Sequence, residues 1–437
     1  MISNLQDMVC RYGPTPSGRL HVGSARTALF IYLFAKSHGG KFVLRIDDTD
    51  VAAANYIYTE EAIESLQWLG IKWDIGPIYQ SSRFDIYKQY IQQLIDTGHA
   101  YREESDRGVA VRFRVGNSKS EFVDLIHGPV QEDMSRYEDF VIQRSNGDPT
   151  YQIATVVDDH LMGITCLPRG NDLFSCTHQQ NALYSALGWE LPRYAHIPLV
   201  NGADGKKLSK RHGDTSVLDF RDNLYLPEAL LNYLSMLGWS PGNNREILSL
   251  SEMEECFDFR KIGKKNVVFD IPKLKWVNRQ YLKKSDLTDL SKALSDLLLI
   301  REIVDRDFDQ SKLLDIVKLF TPRYYSNCDE FVWNTIYFYN DEIDYDLTEV
   351  DLIDRALLPG IKDALKSVGC FTYSDVDKTM RNYAADNGLT FSDLVRSLRF
   401  VVTGRKVTPD IVSVMLIIGR QGVLERIAGF LENHAGG

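Results

Sequence analysis

The most constraining feature of this sequence is a short strand, a glycine-containing turn and a helix that follow one another near the amino terminus. The apolar run 9–12 predicts the strand, and residues 25–37 carry good helix formers with apolar side chains at helical spacing. His21-Val22-Gly23-Ser24 therefore lies where a strand turns into a helix. Backbone N–H groups and the helix dipole favour a phosphate at such a position.

Residues 204–213, which we call the lysine loop, add positive charge. The loop reads Asp-Gly-Lys-Lys-Leu-Ser-Lys-Arg-His-Gly. A nucleoside triphosphate needs mobile cations when its phosphates separate, and lysine is a flexible point charge that can follow them. An HxGx sequence alone is more often a helix start with a surface histidine, but the lysine loop favours a nucleotide site.

Together the two stretches resemble the HIGH and KMSKS signatures of class I aminoacyl-tRNA synthetases. The sequences Arg11-Tyr-Gly-Pro-Thr-Pro-Ser-Gly and Arg45-Ile-Asp-Asp-Thr-Asp50 are similar to those of the glutamyl-tRNA synthetase family. The resemblance is specific over residues 9–290 and fainter through 398–405 and Gly419-Arg420. It implies a ligase that activates L-glutamate with ATP and transfers it from glutamyl-adenylate to the 3′ end of tRNA-Glu. It also implies that tRNA must bind before glutamate is activated.

The implied fold is α/β, with a Rossmann-like doubly wound parallel sheet, an α+β insertion and a mainly α-helical carboxy-terminal half. The residue patterns agree, because helical patterns dominate after about residue 286. Residues 149–160 are expected to return to the main sheet, and residues 409–433 to be helical throughout. The expected domains are a catalytic domain (1–98 and 150–200), a tRNA acceptor-binding insertion (99–149), a stem-contact domain with the lysine loop (201–286) and an all-helical anticodon-binding region (287–437).

The distribution of charge bears on an RNA partner. The net charge of −10 argues against nucleic acid only when it is averaged over the chain. Residues 260–284 contain nine basic side chains, and Asp270 is the only acidic one. This segment, which we call the basic segment, predicts a face that follows an RNA backbone. A solvated surface is the alternative.

The cysteines and the apolar runs indicate the compartment. The six cysteines have neither CxxC spacing nor a disulfide framework, which suits the reducing cytoplasm. No apolar run approaches the roughly 20 residues of a membrane span, and the amino terminus has no secretory signal. We therefore expect a cytoplasmic protein without a membrane segment, and we expect a monomer.

The resemblance implies that ATP binds between the first signature and the lysine loop. His21, Lys207 and Lys210 are the expected catalytic residues. His21 can donate to phosphate oxygens, Gly23 would let the nucleotide approach closely, and the lysines would hold the pyrophosphate with Mg²⁺. The expected ATP-binding residues are Gly18, His21, Gly23, Ser24, Lys207, Leu208, Ser209 and Lys210.

Glutamate brings two carboxylates and an ammonium group, so its pocket needs bidentate cations and an acid. Arg11 and Arg169 are the expected cations. Asp47 is the expected partner of the α-ammonium, although the family commonly has glutamate at this position. The expected glutamate-binding residues are Arg11, Gly13, Thr15, Asp47, Tyr151, Thr155 and Arg169.

Two further expectations concern metal and aromatic residues. Many family members carry a cysteine-rich zinc loop near the position of Tyr101, but residues 101–105 contain no cysteine, so no zinc site is expected. The aromatic residues between 331 and 339 have acidic neighbours, and we interpret them as core rather than as base-stacking platforms.

Three alternatives to a glutamate-specific ligase remain. A glutaminyl enzyme of the same subclass would have β-barrels in its carboxy-terminal part, which the helical patterns disfavour. A truncated paralogue that attaches glutamate to a modified tRNA base would lack the anticodon region. A non-catalytic RNA-binding paralogue is disfavoured by the intact signatures. Charging of tRNA-Gln in addition to tRNA-Glu stays open.

Overall fold

The computed structural model describes residues 8–106, 108–116, 119–206, 208, 215–242, 244–340, 342–345 and 353–433. The chain forms two compact units. The first comprises the described residues up to Arg221 together with Leu226–Val277, and the second comprises Asp222–Tyr225 and the described residues from Asn278 onward. In the described ranges, no helix is both long and apolar enough to cross a membrane.

The first unit is built from strands and helices that alternate along much of the chain. Its strands are β1 (Val9–Tyr12), β2 (Lys41–Ile46), β3 (Ile75–Tyr79), β4 (Ala100–Ser105), β5 (Gly108–Phe113), β6 (Lys119–Asp124), β7 (Gly128–Asp133), β8 (Phe140–Gln143), β9 (Cys166–Gly170), β10 (Arg193–Ile197), β11 (Val200–Asn201) and β12 (Val267–Val268). Its helices are α1 (Val22–Ser37), α2 (Tyr56–Trp68), α3 (Phe84–Asp96), α4 (Tyr151–Leu161), α5 (Phe174–Leu187), α6 (Val217–Arg221), α7 (Pro227–Met236) and α8 (Leu250–Cys256). Helix α9 (Ile271–Leu282) continues into the second unit.

Seven strands form the main sheet, in the order β3-β2-β1-β9-β10-β6-β7. Neighbouring strands are parallel, except that β6 and β7 form an antiparallel hairpin. The chain moves outward from β1 through β2 and β3, and outward from β9 through β10, so the order reverses between β1 and β9. This confirms the predicted doubly wound sheet. Ligands of such sheets bind outside the carboxyl ends of the strands at the switch point.

Helix α1 is buried on nearly all sides. Every side chain from 28 to 35 is buried, and the helix packs against β1, β2 and β9 as well as α7 and α8. A helix that is apolar all round needs such complete cover, and each buried leucine or phenylalanine contributes roughly 1.5–3 kcal/mol. This packing fixes the amino terminus of α1, where His21 is the N-cap.

The segment from β4 to β8 contributes to two sheets. Strands β4, β5 and β8 form a separate antiparallel sheet. Strands β6 and β7 instead extend the main sheet, with Asp124 of β6 paired with Tyr194 of β10. The expected α+β insertion over residues 99–149 did not include that two of its strands join the main sheet.

Residues 151–161 form helix α4, and the next strand is β9. The expectation that residues 149–160 return to the main sheet was therefore wrong. The run from 153 to 157 is apolar and rich in β-branched residues, a pattern that fits a buried helix as well as a buried strand.

The regular elements of the second unit are all helical over its described residues. They are α10 (Leu287–Ile300), α11 (Gln310–Leu319), α12 (Cys328–Thr335), α13 (Leu357–Ser367), α14 (Tyr373–Asp386), α15 (Phe391–Thr403), α16 (Ile411–Ile418) and α17 (Arg420–Asn433). Gly419 separates the last two with φ 89° and ψ 156°, which corrects the expectation of an unbroken helix over 409–433. This backbone conformation is essentially restricted to glycine.

The aromatic residues of α12 and the following turn are mostly core, as expected. Phe331, Tyr337 and Phe338 are buried. Trp333 is the exception, because 65% of it is exposed and Arg405 stacks over its ring.

Candidate active site

A cavity of about 380 Å³ lies at the switch point of the main sheet. Its walls come from the carboxyl ends of β1 and β9, the β1–α1 loop and the first turns of α1, with further residues from α2 and α4. The predicted site residues that line it are Arg11, Gly13, Thr15, Gly18, His21, Gly23, Ser24, Tyr151, Arg169 and Leu208. Asp47 and Thr155 are buried and do not line it. Lys207, Ser209 and Lys210 lie outside the described residues.

The imidazole of His21 is held by Ser24, one turn into α1. The Ser24 N–H donates to His21 Nδ1 over 3.2 Å, and Ser24 Oγ lies 3.1 Å from Nε2. Because Nδ1 accepts, Nε2 carries the proton of the neutral ring. In this tautomer, Nε2 donates to Ser24 Oγ, and a phosphate oxygen that accepts from Nε2 must replace that hydroxyl.

Gly23 makes room for the His21 ring. A Cβ atom at position 23 would lie 3.0 Å from both Cε1 and Nδ1 of His21. The sequence analysis attributed this glycine to close approach of the nucleotide. A side chain here would displace His21 first.

The start of α1 also contacts the chain that leaves the lysine loop. The Val22 N–H donates to Thr215 O over 2.8 Å, and the Val217 N–H donates to Leu20 O over 3.0 Å. These bonds hold Thr215 and Val217, which follow the lysine loop in the chain, beside the start of α1. They also occupy one of the helix-start N–H groups, and His21 occupies that of Ser24, so fewer remain for a phosphate than the sequence suggested.

Arg26 brings a cation that the sequence analysis did not single out. Its Nε donates to Leu237 O over 2.7 Å and its NH1 to Pro198 O over 2.6 Å. Burial lowers the pKa of Arg26 to about 9, so the side chain stays protonated at neutral pH. An arginine held by carbonyl groups keeps a positive charge beside the cavity that it lines.

Arg11 belongs to a buried charge cluster that also contains Arg45, Asp47 and Asp159. Arg11 donates from Nε to Asp159 Oδ1 (2.9 Å) and from NH2 to Asp159 Oδ2 (3.2 Å). Arg45 donates from NH1 to Asp159 Oδ1 (2.7 Å), from Nε to Asp47 Oδ1 (2.6 Å) and from NH2 to Asp47 Oδ2 (3.2 Å). Two cations and two anions alternate, so the buried charge cluster is neutral as a whole.

The cluster keeps the carboxylate of Asp159 ionised despite burial. Burial by itself would raise the pKa of Asp159, but Arg11 and Arg45 hold that pKa below its usual value. Arg45 is fully buried, each of its three nitrogens donates to Asp47 or Asp159, and it does not line the cavity.

The carboxylate of Asp47 packs closely against Gly13. A Cβ atom on Gly13 would lie only 2.6 Å from Asp47 Oδ2. Both Asp47 oxygens accept from Arg45. The structure therefore does not bring the predicted partner of the α-ammonium to the cavity wall.

Arg169 is bonded differently from Arg11. Its NH1 donates to Gln180 Oε1 and its NH2 to Thr177 Oγ1, each over 2.7 Å. Both partners are neutral, and among the described residues no carboxylate pairs with Arg169. Its charge is therefore not compensated by its hydrogen-bond partners.

Besides Arg26, the sequence analysis missed Arg45, Asp159, Thr177 and Gln180. Arg45 and Asp159 could have been found from the sequence. Arg45 interrupts an apolar strand, and a buried charge requires a partner of opposite charge. Asp159 lies four residues after Thr155 and eight after Tyr151, so the three share one face of α4. Thr177 and Gln180 carry no comparable signal.

The described ranges contain no group of three or more His, Cys, Asp or Glu side chains that could hold a metal ion.

A family model described as "tRNA synthetases class I (E and Q), catalytic domain" matches residues 7–108 and 102–276. The chain belongs to the class I tRNA synthetases for glutamate and glutamine. A second model, described as an anticodon binding domain, matches residues 286–431. Together the two models cover nearly the whole length of this synthetase.

Curated relatives and solved structures agree with this family. A glutamate–tRNA ligase of Nitratidesulfovibrio vulgaris is 37% identical over 97% of the chain and 99% of its own length. A glutamate–tRNA ligase of Geobacter sulfurreducens is 35% identical over 97% of this chain and 98% of its own length. A solved glutamate tRNA ligase of Elizabethkingia meningosepticum, in complex with its amino acid, has a TM-score of 0.84 and 27% identity over 98% of this chain and 99% of that chain.

Proposed function

We propose that this chain is a glutamate–tRNA ligase, which uses ATP to join L-glutamate to tRNA-Glu. The observation that carries the proposal is that Arg11, Arg169 and Tyr151 line the same cavity as the amino terminus of α1. Cations suited to an amino acid with two carboxylates thus adjoin a helix start suited to phosphates. Membership of the family and the names of the curated relatives support the same activity.

The first step activates glutamate. An oxygen of its α-carboxylate attacks the α-phosphorus of ATP, the bond from that phosphorus to the bridging oxygen breaks, and pyrophosphate leaves with the bond's electrons. The protein positions the reactants and stabilises charge on the phosphate oxygens. We assign the donor at the α-phosphate to His21 Nε2, which the bond from Ser24 to Nδ1 keeps protonated.

Two arginines are the proposed carboxylate ligands of glutamate. Arg169 suits the side-chain carboxylate, because its hydrogen-bond partners are neutral and its charge remains for the ligand. Arg11 is held by Asp159 through Nε and NH2, so its NH1 is the group that would reach a ligand. Gly13, Thr15 and Tyr151 line the same space. Asp47 and Thr155 do not line the cavity, so they would act on glutamate indirectly, through the residues that do.

ATP is proposed to bind at the other end of the cavity. Gly18, Gly23, Ser24 and Leu208 line that end with His21. The bonds from Val22 to Thr215 and from Val217 to Leu20 hold the residues that follow the lysine loop near the same place. We propose that Lys207, Ser209 and Lys210 contact the pyrophosphate portion from there.

Mg²⁺ is proposed to arrive on the phosphates of ATP. This hard cation keeps several waters and is usually bound through one or two carboxylates and substrate phosphates rather than by a dedicated protein cage. No group of three candidate ligands is present in the described residues, which fits that mode of binding. Bound Mg²⁺ would neutralise charge on the departing pyrophosphate. We propose that the enzyme has no structural zinc.

In the second step, a terminal hydroxyl of tRNA attacks the glutamyl carbonyl carbon and AMP leaves. Within the first unit, Arg260, Lys261, Lys264 and Lys265 of the basic segment are exposed, which supports an RNA-facing surface. We propose that residues 99–149 contact the acceptor end, residues 201–286 the stem and residues 287–437 the anticodon. We further propose a cytoplasmic monomer.

The decisive experiment is aminoacylation of purified tRNA-Glu and tRNA-Gln, side by side, with glutamate and with glutamine. Glutamylation of tRNA-Glu is the expected result, and glutamylation of tRNA-Gln as well would broaden the substrate range. Use of glutamine alone would indicate a glutaminyl enzyme. Failure of both amino acids, together with no ATP–pyrophosphate exchange when tRNA is present, would indicate an RNA-binding paralogue.

A further inference from the structure

Behind Arg169 lies a row of buried polar side chains, which we call the support chain: Thr177, His196 and Asp124. Arg169 NH2 donates to Thr177 Oγ1 over 2.7 Å, and Thr177 Oγ1 lies 2.7 Å from His196 Nε2. His196 Nδ1 lies 2.7 Å from Asp124 Oδ2. The support chain therefore runs from the cavity wall on β9, through α5 and β10, to β6, the strand next to β10.

The far end of the support chain is anchored by the backbone. Asp124 Oδ1 accepts from the N–H groups of Ile126 and His127 over 2.8 and 2.9 Å, and Oδ2 also accepts from the His196 N–H over 3.0 Å. Both the carboxylate and the imidazole are inaccessible to solvent. A fully bonded buried carboxylate has one low-energy orientation, so it fixes the ring that it holds.

The protonation states of His196 and Asp124 set the direction in which the hydrogen bond between them is donated. Burial lowers the pKa of His196, which leaves the ring neutral near pH 7. Burial by itself would raise the pKa of Asp124, but its bonds to His196 and to the backbone of His127 and Ile126 bring that pKa below its usual value. Nδ1 therefore donates to the carboxylate and Nε2 accepts.

The hydroxyl of Thr177 has one proton and two candidate acceptors. Leu173 O lies at 3.1 Å and His196 Nε2 at 2.7 Å, so the shorter bond goes to the histidine. The oxygen of the hydroxyl then accepts from Arg169. In each of the three hydrogen bonds, the donor is therefore the residue nearer the cavity. The carboxylate of Asp124 is the last acceptor.

We propose that Thr177, His196 and Asp124 are positioning residues that hold the guanidinium of Arg169 in the orientation that binds the side-chain carboxylate of glutamate. This proposal rests on the proposed function, because it assigns that carboxylate to Arg169. None of the three has to touch the substrate. Holding a long, flexible arginine in its productive rotamer removes the entropy loss that would otherwise accompany ligand binding.

The test compares Thr177→Val, Thr177→Ser and Arg169→Gln in the full-length enzyme, by ATP–pyrophosphate exchange with tRNA-Glu present. Valine keeps the shape of threonine and removes the hydroxyl, whereas serine keeps the hydroxyl. Thr177→Val should raise the KM for glutamate about tenfold, the effect of losing one hydrogen bond to a charged group. The KM for ATP should change less than about twofold, and Thr177→Ser should restore the KM for glutamate.

Ser120→Ala is the matched control. Ser120 is buried on the same strand as Asp124 and bonds to His178 and Asn181 of α5, but it does not contact Arg169. The control should leave both KM values unchanged. The melting temperature of each variant shows whether it has folded.

Three outcomes would overturn the support chain. These are a normal KM for glutamate in Thr177→Val, a parallel rise in the KM for ATP, or failure of serine to restore function. A strong defect in Arg169→Gln beside a normal Thr177→Val would overturn the support chain alone. A normal KM for glutamate in Arg169→Gln would instead overturn the proposed role of Arg169 in the active site.

Discussion

The two arginines that line the cavity differ in what they already bind. Arg11 shares Asp159 with Arg45 inside a neutral cluster, whereas Arg169 is bonded to the neutral groups of Thr177 and Gln180. Removing Arg11 leaves a buried carboxylate with one partner fewer. Removing Arg169 leaves two neutral hydrogen-bond partners, Thr177 and Gln180, without their donor. The same substitution therefore has different consequences at the two positions.

Arg169→Gln should lower kcat/KM for glutamate by about 10²–10³-fold, the scale of truncating one partner of a buried charged contact. It should also narrow the preference for glutamate over glutamine, because a guanidinium offers donors and no acceptor to an amide NH₂.

Arg11→Gln should also lower the free energy of unfolding by about 3–5 kcal/mol, because it breaks a buried ion pair. Kinetics with both amino acids and urea unfolding of both variants check these expectations. Equal free energies of unfolding for Arg11→Gln and Arg169→Gln would contradict the expected difference between the two positions.

Stability should also depend on pH through buried histidines. Burial lowers the pKa values of His178 and His196, so these side chains resist protonation in the folded state. In the unfolded chain they take up protons below their ordinary pKa of about 6.5. The unfolded state then binds more protons, and stability falls as the pH falls. Each histidine contributes a slope of at most about 1.4 kcal/mol per pH unit.

Urea unfolding at pH 7 and pH 5 measures this dependence. Tryptophan fluorescence is a suitable signal, because all tryptophans except Trp333 lie in the first unit. The free energy of unfolding should be lower at pH 5. His196→Gln should make the difference smaller, and an equal or greater stability at pH 5 would contradict the prediction.

At the scale of elements, glycines decide where helices end. Gly188 ends α5 with φ 72°, and Gly404 ends α15 with φ 67°. The sequence predicts such ends when glycine follows an apolar-periodic run. Gly419 differs, because it interrupts an almost continuous helical pattern by combining a positive φ with an extended ψ.

Gly419→Ala should destabilise the protein by about 1–3 kcal/mol through backbone strain alone. A Cβ atom at position 419 would meet nothing within 4 Å, so a steric clash cannot contribute. Gly429→Ala is the matched control, because Gly429 lies inside α17 and also has open space around it. The control should stabilise by about 0.5–1 kcal/mol. Thermal unfolding followed by circular dichroism should show shifts of opposite sign, and shifts of the same sign would refute the assigned strain.

Local patterns predicted the elements whose environment is simple. The strand predicted from the apolar run 9–12 is β1, with those bounds. Helix α4 was assigned to the sheet because a run buried on all sides has no periodicity to read. In the site, the cavity-lining residues were found through the resemblance. The partners that hold them, such as Thr177 and Gln180, depend on which elements the fold brings together.

At the scale of the whole molecule, RNA should affect chemistry in the first unit. Pyrophosphate exchange with glutamate and ATP should be weak until tRNA-Glu is added, as the resemblance implies. Bound tRNA would have to favour the productive pose of ATP, since a ligand shifts an equilibrium only by its differential affinity for the two states. Exchange assays with and without tRNA-Glu, using enzyme freed of nucleic acid, test this. Robust exchange by the RNA-free enzyme would reject the coupling.

The metal content is a second property of the whole chain. Residues 101–105 have no cysteine, and the six cysteines are spread from Cys10 to Cys370. Thiolate zinc sites need ligands at close and regular spacing. Elemental analysis of the purified protein should therefore find well below one zinc per chain. About one zinc per chain, retained after dialysis against a chelator, would contradict this.

The β6–β7 hairpin restricts how this protein can be rebuilt. Residues 99–149 look like a cassette that could be excised or exchanged with that of a relative to alter tRNA choice. However, β6 is a strand of the catalytic sheet, and Asp124 at its end anchors His196. A deletion would expose the edge of β10 and leave the imidazole without its carboxylate. Chimaeras should instead exchange the sheet of β4, β5 and β8 and keep residues 119–133 in place.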